Sequence, residues 1–137
     1  MLGKPEVGWT EITIGEFKCY ASYLTCVPID CLEACLHRVK ENGPLAFVFD
    51  AEGPGRFFVI STSSDTIIAW EENYDDKSII RIPGVNDVQL VLEIVNDIEL
   101  YMDDWCKEWD SSLNKEELSC KLQELKALLP EWWPLKQ

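Results

Sequence analysis

A chain of 137 residues is long enough to bury an ordinary core, and 47% apolar with 27% charged residues is globular rather than disordered composition. Its 25 acids against 12 bases leave a formal net charge of −13, a surface that repels nucleic acid and anionic membranes and attracts basic partners. The opening "MLGKPEVGWTEITIG" lacks the continuous apolar core of an export signal, and no apolar run approaches the roughly 20 residues of a membrane span, so a soluble, cytoplasmic protein with six reduced thiols is expected.

In chain order, "WTEITIGEFKCYASYL", Trp9 to Leu24, reads as strand from its β-branched and aromatic content. Gly15 is the bend or bulge between two short pieces, and Phe17, Cys19, Ala21 and Tyr23 share a face at period two. After Pro28 the period changes to that of a helix. Asp30 and Glu33 resemble a capping box, Leu32, Cys35, Leu36 and Val39 form the apolar stripe, and Asn42, Gly43 and Pro44 end it. Four strand-like runs follow, "LAFVFD", "RFFVIST", "TIIAWEE" and "SIIRI", joined by the turn-rich connectors "AEGPG", "SSD" and "NYDDK". Such short connectors cannot hold a crossover helix, which predicts an antiparallel meander. Asn86 is the expected N-cap of a long helix running to about Trp109. Asn114 with Glu117 opens another that Pro130 stops, Leu113 stapling onto Leu118. Without repeats or linkers, residues 1–137 are expected to form a single α+β domain: a β-meander, a short helix after the N-terminal strands, and two C-terminal helices packed on the sheet.

The segment "EIVNDIELYMDDWCKEWD", residues 93 to 110, holds most of the charge anomaly, since Asn86 to Asp110 contains eight acids against Lys107 alone. At about 100° per residue, Val91, Val95, Ile98, Met102, Trp105 and Trp109 fall on one buried face, and Glu93, Asp97, Asp104 and Glu108 line up opposite it. Leu100 lies within that acidic ribbon and Tyr101 beside it. Like charges four apart cost an isolated helix a few tenths of a kcal/mol per pair. The ribbon is read either as a solvated face or as a docking surface with an aliphatic and an aromatic anchor, Leu100 being free to pack under the third helix in the first case. A second acidic patch, "EENYDD", places Glu71, Glu72, Tyr74, Asp75 and Asp76 in a hairpin connector.

Other constellations carry no reaction. Cys26, Cys31, Cys35 and His37 crowd together without the spacing of zinc knuckles, and Cys35 is already on an apolar face, so no metal is expected. His37, beside Arg38 and Lys40, should face solvent. "EGPG" is a hairpin turn rather than a phosphate cradle, and no hydrolase, zincin or P-loop motif occurs, which predicts neither enzyme nor cofactor. Trp132 and Trp133 near the C-terminus are expected to dock on the core, or else to meet another subunit.

In size, charge, acid-bearing helix and acidic hairpin tip, the chain resembles the small immunity proteins with which bacteria neutralise their own polymorphic or contact-dependent toxins. The resemblance implies a non-catalytic partner of a basic toxin, such as a nuclease whose cationic groove takes carboxylates in place of phosphates. The expected contacts are Asp97, Leu100, Tyr101, Asp104 and Glu108, with Glu71, Glu72, Tyr74, Asp75 and Asp76 as a second set. The competing expectation is a homodimer or larger scaffold, joined through the Trp132–Trp133 tail or an edge strand, whose acids only keep it in solution. A small-molecule enzyme built on the sheet is a third.

Overall fold

The computed structural model describes residues 1–136. Strands β1 (Trp9–Ile14) and β2 (Phe17–Ser22) form an antiparallel hairpin of their own. Ile14 pairs with Phe17 across a two-residue turn, so Gly15, at φ 59, is the expected bend between two short strands, a hairpin corner. Helix α1 (Val27–Glu41) begins three residues before the expected Asp30 cap. Pro28 explains the earlier start: its fixed φ suits the first turn, and its missing N–H is one the helix would leave unpaired. Asn42, at φ 55, ends the helix as expected.

The meander is borne out. Strands β3 (Leu45–Asp50), β4 (Gly55–Ser61), β5 (Asp65–Glu72) and β6 (Asp76–Pro83) form one antiparallel sheet in sequence order. Leu45, Phe47, Phe49, Phe57, Val59 and Ile68 on its inner face are buried. Phe17 from the hairpin joins Phe49, Phe57 and Trp70 there, with ring centroids 5.1 to 5.8 Å apart. On the outer face the register sets residues in straight rows across four strands. Asp50, Arg56, Glu71 and Lys77 make one, and Val48, Phe58, Ala69 and Ile79 the next.

Asn86 caps α2 (Asp87–Leu100), its side chain accepting the Gln89 N–H at 2.9 Å. The helix expected to reach Trp109 stops at Leu100 and restarts as α3 (Met102–Glu108), because Tyr101 leaves the helical region at φ −106, ψ 25. The apolar stripe survives the break, with Trp105 and Trp109 both buried and packed edge to face. Asn114 caps α4 (Lys115–Leu128) by accepting the Glu117 N–H at 3.1 Å. A 3₁₀ turn (Leu129–Glu131) and the short α5 (Trp133–Lys136) close the described chain. α1 packs on β3 and α4, while α2 lies against α1 and α4. One ion pair ties these layers: Arg38 Nε donates to Asp87 Oδ2 at 2.7 Å, with both side chains largely buried and Trp132 under the guanidinium. Among the described residues no helix is long and apolar enough to cross a membrane.

Candidate functional site

The acidic ribbon is partly occupied by the chain itself. Residues 1–8 run along α2 and α3, and Leu2, only 2% exposed, is paired with Ile12. Its N–H donates to Asp97 Oδ2 at 2.9 Å, and the Met1 amine lies 3.2 Å from the same carboxylate and 3.6 Å from Glu93. At the far end the Val7 N–H donates to the Glu108 carboxylate at 3.1 Å, and the Gly8 N–H to the Glu108 carbonyl at 2.6 Å. That carbonyl belongs to the last turn of α3, where helical acceptors lack internal partners. Asp104, half-buried, lines a shallow pocket with Lys4, Pro5, Glu6, Val7 and Glu108. Leu100 is 64% exposed and does not pack under α4, whereas Tyr101 is half-buried against the core. Glu99 and Asp103, outside the ribbon, are paired with Lys126 and Lys115. Nothing in residues 1–8 beyond the apolar Met1 and Leu2 signalled this strap, since an isolated pair has no period to read.

The second acidic set is built differently. The β3–β4 and β5–β6 turns lie side by side at one end of the sheet, joined by the Asn73 N–H donating to the Pro54 carbonyl at 3.1 Å. Gly55 makes this approach possible: its φ is 112, and a Cβ there would stand 2.0 Å from the Glu71 carbonyl oxygen. Glu52, Asn73 and Tyr74 all have positive φ, at 60, 51 and 66, so the tip holds its shape against backbone preference. Tyr74 donates to Asp50 Oδ1 at 2.8 Å, and the Arg56 guanidinium lies 5.5 Å from its ring centroid. The Asp50 bond also raises the phenol's pKa above its ordinary value. Arg56 Nη2 donates to Glu71 at 2.9 Å, and among the described residues Glu52, Glu72, Asp75 and Asp76 have no ion partner around a tyrosine that is 43% exposed. The sequence displayed the Glu71 to Asp76 patch but not its junction with Asp50, Glu52 and Arg56, which only strand pairing creates.

The remaining candidates are structural. Cys31 and Cys35 are buried in the core, which pushes both thiols well up, and Cys120 is exposed. His37 is half-exposed, hydrogen-bonded to Glu41 at 2.7 Å, and it occupies the space a Cβ on Gly43 would need. The adjacent tryptophans separate: Trp132 is 5% exposed and Trp133 69%. Among the described residues no group of three or more His, Cys, Asp or Glu is placed to hold a metal ion. No protein-family model, curated protein or solved structure matches the chain.

Proposed function

We propose that this is a non-catalytic acidic binding protein that neutralises a basic protein, in the manner of an immunity protein against a toxin with a cationic groove such as a nuclease. The observation that carries the reading is the sheet end: carboxylates with no ion partner among the described residues surround Tyr74, which is fixed by Asp50 and Arg56 yet open to solvent. A partner there meets a preset surface and orders few side chains on binding, and the charge speeds its approach. Tyr74 would anchor the contact, with Glu72, Asp75 and Asp76 opposing basic side chains. On the helices Leu100, Tyr101, Asp104 and Glu108 remain as a second contact, while Asp97 serves chiefly to hold the N-terminal strap.

The test is capture from the native organism's lysate at low salt by the tagged chain and by a Glu72→Lys, Asp75→Lys, Asp76→Lys variant. The proposal expects one basic protein held one-to-one by the parent, its activity on nucleic acid suppressed, and lost association with the variant. Equal capture and equal suppression by both proteins would remove the tip from the interface.

A further inference from the structure

The four strands carry more apolar residues than one buried face needs. An antiparallel sheet with one face in water alternates apolar with polar, whereas near-continuous apolar runs mark strands covered on both faces. "FFVI" and "IIAW" are runs of the second kind. Their inward halves fill the core, but the outward Val48, Phe58, Ile60, Ile67, Ala69 and Ile79 touch none of it; Ile60 is 47% and Ile79 76% exposed. Among the described residues nothing covers that face.

We infer that the outer face of the sheet is covered by a second copy of the chain, the two sheets packing face to face about a two-fold axis parallel to the strands. Charge supplies the first argument. The outer face carries Asp50, Asp65 and Glu71 against Arg56, Lys77 and Arg81, and is neutral on a protein of net charge −13. Copies meeting through the acidic ribbon or the acidic tip would bring like charge together; here they do not.

Register supplies the second argument. A two-fold along the strands lays β3 over the partner copy's β6 and β4 over its β5, keeping each row on itself. In the row Asp50, Arg56, Glu71, Lys77, aspartate then faces lysine and arginine faces glutamate, twice over by symmetry. In the row Val48, Phe58, Ala69, Ile79, phenylalanine faces alanine and valine faces isoleucine, so large fills small. A two-fold across the strands would instead set Phe58 on Phe58 and Arg56 and Glu71 on the apolar row of Ile60 and Ile67.

The face is small. Four strands at about 4.8 Å spacing and four outward rows about 6.7 Å apart span roughly 19 Å by 20 Å. That is roughly 380 Å² per copy, below the size of standard stable interfaces, so the dimer is a weak one that forms at high concentration.

Sedimentation velocity from about 1 μM to about 500 μM tests it. The weight-average mass should climb from 15.7 kDa toward twice that value. Ile79→Asp, at an exposed position the fold does not use, should weaken association at least about tenfold while leaving the circular-dichroism melting curve intact. Arg56→Glu alone and Glu71→Arg alone should each dimerise poorly, and their equimolar mixture should recover to within about threefold of the parent, because each variant then offers its partner the opposite charge. A monomer throughout the range overturns the inference. So does a dimer indifferent to Ile79→Asp, including one lost only on removing residues 130–137, and so does a mixture no better than its separate components.

Discussion

Replacing Asp97 by alanine asks whether the ribbon's best-placed carboxylate belongs to the fold or to a partner. The side chain is 16% exposed and accepts the Leu2 N–H at 2.9 Å, while the Met1 amine adds an ion pair at 3.2 Å. A hydrogen bond to a charged acceptor contributes about 1.5 to 3 kcal/mol, and the terminal amine adds at most about 1 kcal/mol after screening. The loss should therefore be about 2 to 3 kcal/mol, the Leu2 amide being left without its acceptor beside the core. At about 2.1 cal/mol/K of unfolding entropy per residue, this chain should lose roughly 7 to 10 °C in Tm. Asp97→Asn keeps an acceptor without the charge and should cost about half as much. Asp75→Asn and Asp76→Asn, which break no ion pair, should stay within about 0.5 kcal/mol of the parent. Urea unfolding followed by tryptophan fluorescence measures all four. If Asp97→Ala matched the tip variants, the strap would not depend on this carboxylate, and the ribbon would be free to serve a partner.

Arg38→Met should cost about 3 kcal/mol in urea unfolding, since it strands the buried Asp87 carboxylate and removes the guanidinium from Trp132. The start of α2 offsets part of that loss, and Asp87→Asn in the same chain should recover some of it in a double-mutant cycle. Gly55→Ala should lose about 2 to 4 kcal/mol and disorder the tip, seen as loss of the Asn73 amide's protection from hydrogen exchange, because both its φ and the Glu71 carbonyl forbid a Cβ. Burial raises the Cys31 and Cys35 thiols, so the folded state keeps its protons where the unfolded chain gives them up. Above the ordinary thiol pKa of about 8.5, each should cost up to about 1.4 kcal/mol of stability per pH unit. At pH 8 a thiol reagent should label Cys120 quickly, and Cys31 and Cys35 only after denaturant is added.

Local chemistry told most of the elements. The two asparagine caps, the αL stop at Asn42 and the turn-rich connectors act within four or five residues, and the structure realises each of them. The early start of α1 was also local, written in Pro28 but overshadowed by the Asp30–Glu33 pair. The break at Tyr101 was not: no Gly or Pro marks it, and the apolar stripe runs through unaltered.

What surrounds each carboxylate was decided by tertiary structure alone. On a helical wheel Asp97, Asp104 and Glu108 are equivalent acids, and only the return of residues 1–8 over the helices separates a tether from an open charge. Similarly, "EENYDD" could be read as an acidic turn, but pairing with the neighbouring hairpin brought Asp50, Glu52 and Arg56 around Tyr74. Periodicity reports which way a side chain points relative to its own backbone. The partner that meets it comes from distant chain, and burial and hydrogen bonding are properties of that meeting.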